Sequence, residues 1–244
     1  MENKINVPTE TVELPSKGLV YSKDNPLSSG TIEMKYMTAK EEDILTNQSY
    51  IQKGIVLDKL MTSLIVSKIN YDDLIVGDKN AVMVASRVLG YGKDYKFKYN
   101  NEHHEVDLST LENKIIDETL FTPGVNEFSF ILPASQTPIT FRLLTGHEEK
   151  KIEAEINGMK KVNSNISAEL STRMKYIITS VNGDRDTKTI REYVDTALLA
   201  RDSRALRDHI KAIQPDVDLT FFPLGSNESI SIPIGLSFFW PDYE

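Results

Sequence analysis

Apolar residues change period several times along the chain, and each change marks a new element. Ile32, Met34 and Tyr36 alternate with Glu33 and Lys35, the two-residue period of a half-buried strand. Thr38 stands three residues before Glu41, the spacing of a capping box that satisfies free amides at a helix start. A short helix is predicted from there to about Asn47, and a second from about Ile55 with Leu57, Leu60, Met61, Leu64 and Ile65 on one face. A third, with Asp78 as N-cap, aligns Ala81, Val84, Ala85, Val88 and Leu89 and stops at Gly90 and Gly92. Tyr95, Phe97 and Tyr99 then alternate with lysines, Asn100-Asn101 offers a turn, and Glu105 to Leu108 return as a hairpin.

The second half opens on a clearer hairpin. Phe128, Phe130 and Leu132 lead out, Pro133 to Gln136 turn, and Ile139, Phe141 and Leu143 lead back. Thr145 with Glu148 repeats the capping-box spacing, and helices are predicted near 146–157, 167–181, 188–199 and 203–213. Strand-like segments follow at Val217 to Phe222 and Ile230 to Ile234, ahead of Phe238-Phe239-Trp240-Pro241.

The pattern predicts an α+β fold: two tandem helix-rich modules, each with strands and a terminal β-hairpin. Residues 1–30, with Pro8, Pro15, Pro26, Gly18 and Gly30, read as an extended N-terminal arm, disordered or pinned to a partner or to the body. The first module is expected over 31–113, a linker with Pro123-Gly124 over 114–126, and the second module over 127–244. Loss of residues 1–30 is expected to leave a folded body.

The halves share a plan. Lys35, Thr38, Glu41 and Glu42 match Arg142, Thr145, Glu148 and Glu149; Leu74, Asp78, Ala81, Asp94 and Phe97 match Leu198, Asp202, Ala205, Asp218 and Phe221. The second half would hold one extra helix. Either the chain arose by duplication, or common capping boxes recur by chance.

Composition narrows the function. A net charge of -8 argues against nucleic-acid binding, which needs a local excess of Lys and Arg to displace counterions. The Lys150-Lys151 and Lys160-Lys161 pairs are interleaved with glutamates and read as a solvated helix face. With no cysteine, thiol nucleophiles, disulfides and thiolate metal sites are excluded. No apolar run reaches the roughly 18 residues that span a bilayer, and Met1-Glu2-Asn3-Lys4-Ile5 lacks a signal-peptide pattern. Synthesis in a cytoplasm, with no export and no membrane contact, is expected.

Candidate chemistry is thin. His103 and His104 are adjacent on a strand, so they face opposite ways and cannot share an ion. His147 falls in a first helical turn, and His209 sits on an apolar stripe as a core histidine would. Gly90-Tyr91-Gly92-Lys93 is a helix stop rather than a phosphate loop, and no nucleophile elbow or dinucleotide fingerprint is present. Carboxylate pairs (Asp72-Asp73, Glu148-Glu149, Asp184 with Asp186) have capping and turn roles available to them. No catalytic residue, metal or cofactor is expected. The C-terminal aromatics either plug the core of the second module or anchor in a partner's pocket.

Leu14-Pro15-Ser16-Lys17-Gly18-Leu19-Val20-Tyr21, Met37 to Leu45, Phe141 to Gly146, and Ile232-Pro233-Ile234 running into Phe238-Phe239-Trp240-Pro241 stand in this order along the chain. Together they resemble the T-even-type bacteriophage baseplate hub proteins, a family of hub subunits and hub-assembly factors. Some relatives carry Cys-x-x-Cys knuckles at the hairpin ends, giving zinc-ribbon-like tips; Asn100 to His104 and Pro223 to Glu228 hold no cysteine, so no metal is carried over. The resemblance implies a structural or assembly role in the virion's tail baseplate, in several copies within a symmetric assembly. Its partners would be other hub and tail-tube proteins. The partner-binding residues would be Leu14, Pro15, Leu19 and Tyr21 of the arm and Phe238, Phe239, Trp240 and Tyr243 of the tail. The alternatives are a transient assembly chaperone absent from the virion and a tail-associated cell-wall hydrolase.

Overall fold

The computed structural model describes residues 7–162, 168–223 and 228–240. Strand β1 (Thr9–Glu13) pairs antiparallel with β2 (Thr31–Lys35), placing Thr9 opposite Lys35 and Glu13 opposite Thr31. Helices α1 (Ala39–Leu45), α2 (Gln48–Gln52), α3 (Val56–Leu64) and α4 (Val76–Tyr91) follow. The hairpin of β3 (Asp94–Tyr99) and β4 (Glu102–Asp107) ends the half. Asn100 and Asn101 both take positive φ at its turn, as the sequence suggests.

The second half begins with β5 (Phe128–Ile131) and β6 (Pro138–Phe141), then α5 (Gly146–Val162) and α6 (Glu169–Ile177). Next come β7 (Ile178–Val181), α7 (Thr187–Thr196) and α8 (Ala200–Ile213), and finally the short pair β8 (Thr220–Phe221) and β9 (Ile230–Ser231). The sheets are small and antiparallel, and the fold is α+β.

Four expectations need correction. The first concerns the arm. From Thr9 onward it is the body's first strand and the loop after it, and Leu14, Val20, Tyr21 and Leu27 are buried in the common core. Prolines and glycines here make a folded loop, closed where Leu14 N–H donates to the Gly30 carbonyl. The first module therefore starts at β1, not at residue 31. The second concerns Asp78, which does not cap its own helix. Ile75 holds the N-cap position, and the Asp78 side chain turns into the core. Third, residues 178–181 leave the helix and become β7, because Ile178-Thr179-Ser180-Val181, three of the four β-branched, completes a sheet against β6. Fourth, the connector 114–126 is no free linker: Phe121 is buried, and Gly124 N–H donates to the Leu19 carbonyl.

The correspondence between the halves extends to geometry. Met34 bridges Ile65 as Phe141 pairs with Ile178, so the third strand of the second half survives as one bridge in the first. Helices α3 and α6 have the same length and end alike, at Ile65 and Ile178 in extended conformation. Both capping boxes are formed, Thr38 with Glu41 and Thr145 with Glu148. Lys35 and Arg142 stand at the same place and face those glutamates at 2.8 and 3.7 Å. The expected extra helix in the second half does not appear, since among the described residues each half has four. Helices α1 and α2 stand where the second half has the single α5, and α7 stands where the first half has only the single turn Tyr71–Asp73.

The halves pack on each other. Val76 N–H donates to the Leu144 carbonyl and Gly146 N–H to the Leu74 carbonyl. Asn80 donates to Asp216 at 2.9 Å. A Cβ at Gly77 would sit 1.8 Å from the Pro215 carbonyl oxygen, so glycine alone permits this approach. At the hairpins the equivalent rings of Phe97 and Phe221 meet edge to face, 5.5 Å apart.

Candidate functional site

The residues nominated as partner anchors lie mostly inside this chain. Leu14 and Tyr21 are buried, Pro15 is buried beside them, and Leu19 is half-buried against the core. Phe238 and Phe239 are buried, and Trp240 is half-buried against the same core. The physical reason is intramolecular supply. Tyr95 meets Phe238 edge to face at 4.6 Å, and Arg87 donates to the Phe238 carbonyl at 3.0 Å. The C-terminal aromatics thus plug the first module, not the second as expected. Tyr243 lies outside the described residues.

The buried carboxylates are equally occupied. Asp78 accepts the Ser16 N–H and hydroxyl and, at 2.5 Å, the Tyr21 phenol, which itself accepts the Ile75 N–H. Burial pushes the Asp78 carboxyl up to about 6 despite these donors, and nearby Asp216 adds to the rise. Burial and the Asp78 charge push the Tyr21 phenol up as well. Asp202 accepts the Ala134 and Ser135 N–H groups; burial works to raise its carboxyl, but the donors outweigh it and hold the pKa below the ordinary value. Glu41 collects Lys35, Thr38 and Ser63; burial opposes them, yet together they hold it near about 2.

The histidines are built into packing. His104, opposite Phe97 in the β3–β4 pair, lies 5.5 Å from the Phe97 ring and 5.6 Å from the Phe221 ring. His209 stacks on Phe130 at 4.6 Å, and burial lowers its pKa. His147 pairs with Asp73 at 2.9 Å. Among the described residues, no group of three or more His, Asp or Glu side chains is placed to hold a metal ion. No helix there is long and apolar enough to cross a membrane.

Of several open hollows among the described residues, one is a trough where the modules meet. Its floor is apolar, built from Val76 of α4, Leu144 after β6, Met174 and Ile177 of α6, and Ile210 of α8. Its rim is basic: Lys114, Arg142, Arg173, Arg207 and Lys211 face two acids, Glu149 and Asp216. Those acids are engaged, Glu149 with Arg173 at 2.7 Å and Asp216 with Lys114 at 3.5 Å. The Glu149 hydrogen bond lifts the Arg173 guanidinium above its ordinary value, so its charge is secure. This hollow of about 300 Å³ adjoins a second of about 270 Å³ between α6, α7 and α8, with Leu170, Met174 and Arg207 lining both. Leu170 and Leu199, at 48% and 49% exposure, stand at its edge and close beyond it.

Comparison with protein families, curated proteins and solved structures gives no match to this chain. The site therefore rests on its own geometry. Sequence reading missed the trough because five separate segments supply its walls. One signal was present: Arg207, Ile210, Lys211 and Gln214 recur at helical spacing and mix apolar and basic character on one face of α8.

Proposed function

We propose that this chain works by binding other proteins and performs no chemistry of its own. It would act as a structural or assembly component of the central hub of a contractile phage tail baseplate. The hub assignment rests on the ordered sequence stretches around residues 14–21, 37–45, 141–146 and 232–241. The observation that carries the binding reading is the trough. The buried carboxylates of Asp78, Asp202 and Glu41 are tied to the chain's own backbone and side chains, whereas an apolar floor stays open to solvent. Exposed apolar concavities of this sort mark interaction sites. Other hub and tail-tube proteins are the proposed partners, in several copies within a symmetric particle, and the tail baseplate is the proposed location.

The test is made in infected cells. Purified tails are analysed for this polypeptide by quantitative mass spectrometry, alongside a phage lacking it. A stoichiometric signal supports a resident subunit. Failed hubs with no signal in finished tails support a transient assembly factor. Normal tails made without the chain would sink the proposal, as would sustained peptidoglycan lysis by the purified monomer, the behaviour of a cell-wall hydrolase.

A further inference from the structure

We infer that the trough between α6, α7 and α8 receives an acidic amphipathic helix from a partner protein. This deepens the protein-binding reading above and rests on it. The argument begins with charge. The whole chain is acidic, with a net charge of -8, yet the trough gathers five cations; Lys114, Arg173 and Arg142 face Asp216, Glu149 and Glu148, which leaves two over. Arg207 and Lys211, one helical turn apart on α8, are exposed and form no ion pair among the described residues. An occupant with acidic flanks meets unpaired positive charge; one with basic flanks meets repulsion.

The shape argues for an apolar stripe between those flanks. Val76, Leu144, Ile177 and Ile210 floor one end, Met174 lies in the shared middle, and Val194 and Leu198 wall the other. Two adjoining apolar hollows, with cations along the first, suit a helix that presents residues at i, i+3, i+4 and i+7. Two buried polar atoms on the lining also await partners. Arg142 Nε and Ser203 Oγ have no hydrogen-bond partner among the described residues.

The first half shows how the corresponding place looks when filled. Met37, counterpart of Leu144, packs so close to Gly90, counterpart of Gln214, that an added Cβ would meet its Cε at 2.9 Å. Arg87, counterpart of Lys211, is buried and holds the Phe238 carbonyl of the chain's own C-terminal segment. Met61, counterpart of Met174, is buried beneath α4 and accepts from Ser86. At this position the first half is thus closed by residues of the same chain, Phe238 of the C-terminal segment among them, whereas the second half leaves it to another molecule.

The test uses the full chain and a fluorescein-labelled helical peptide of about four turns, with leucines on one face and glutamates beside them. Versions with glutamine or lysine in place of glutamate serve as comparisons, read by fluorescence anisotropy. The glutamate peptide should bind at least about tenfold tighter than the lysine peptide and weaken between about 50 and 300 mM salt. R207E/K211E should cost about tenfold or more in affinity and leave the thermal melt unchanged, since neither side chain supports the core. Equal binding of the glutamate and lysine peptides would overturn the inference. So would undiminished binding to R207E/K211E. Occupation by decanoate with no peptide binding would assign the trough to a small amphiphile instead. Self-association of the chain that R207E/K211E abolishes would assign it to a second copy. None of these outcomes bears on the hub reading, which falls to normal tails made without the chain or to peptidoglycan lysis by the purified protein, so the two failures cannot be confused.

Discussion

Asp78 and Asp202 occupy the same place in the two halves: each projects a fully buried carboxylate from the first turn of its helix onto the loop that closes a strand pair. Asp78 accepts from Ser16, two residues after Leu14, and Asp202 accepts from Ala134, two residues after Leu132. Both loops read Leu-Pro, and in both the leucine N–H closes the turn, onto Gly30 and Thr137. The pair ties the last large helix of each half to its first strands. A few kcal/mol therefore hang on two side chains that sequence alone would file as helix caps.

The Asp78 carboxyl is held above its unfolded value by burial, which fixes the sign of its pH effect. Its contribution is fully present below about 3.8 and is lost as pH rises through about 6. Relative to Asp78→Asn, the natural protein should gain on the order of 3 kcal/mol of stability between pH 7 and pH 4. Urea melts across that range measure it, and carbon-13 titration should place the carboxyl midpoint near 6. A midpoint at or below 4 would contradict the burial argument.

Glu41 and Glu148 form twin capping boxes of unequal strength. Glu41 has Lys35 at 2.8 Å and an additional bond from Ser63, whereas Arg142 stands 3.7 Å from Glu148. Glu41→Gln should cost about 1–3 kcal/mol at neutral pH and Glu148→Gln less. The Glu41 contribution is complete above pH 4.5 and disappears as pH falls toward about 2, so the two variants should converge in acid. Equal losses at pH 7 would show that the lysine is not the cause.

Gly77 and Gly158 are both helical, with opposite expectations. Alanine gains up to about 1 kcal/mol over glycine in a helix. Gly158 has nothing within 4 Å of its added Cβ, so Gly158→Ala should raise the melting temperature. Gly77→Ala drives a methyl into the Pro215 carbonyl and should cost about 1–3 kcal/mol or more. Thermal melts of the two variants decide it, and a neutral Gly77→Ala would mean that the halves part readily there.

Removal of residues 1–30 should abolish cooperative unfolding. It strips β1 from β2 and takes Leu14, Val20, Tyr21 and Leu27 from the core. It also leaves Asp78 buried without its donors, an outcome costing several kcal/mol against a stability of about 5–15. A sharp, native-like melt of the truncated chain would restore the arm to its expected status as a separable segment.

Period and capping carried far in this chain. The strand at Ile32, the helix faces on α3 and α8, both capping boxes and the Asn100-Asn101 turn were legible, because each depends on neighbours along the chain; on α4 the face turned inward is instead that of Val82, Ser86 and Arg87. Long-range pairing was not. β1 has weak alternation and becomes a strand only because β2 presents an edge; β7 was hidden at the end of a helical stripe that Ile177 and Ile178 continue. The aromatic tail was recognised as a plug or an anchor, but composition could not say that Arg87 and Tyr95, far back in the chain, supply its socket. The trough was illegible for the same reason, since Val76, Arg142, Met174 and Lys211 meet only in the folded chain.

The ring contact between Phe97 and Phe221 joins corresponding residues, as subunits of a symmetric dimer would be joined, yet here one polypeptide carries both. Dilution therefore cannot separate the halves, because the connecting chain keeps their effective concentration high at any dose. Ile115, fully solvent-exposed on that connection, marks where a protease nick would change this. The two fragments would then hold together only above a threshold concentration, and the melting temperature would begin to depend on how much protein is in the tube.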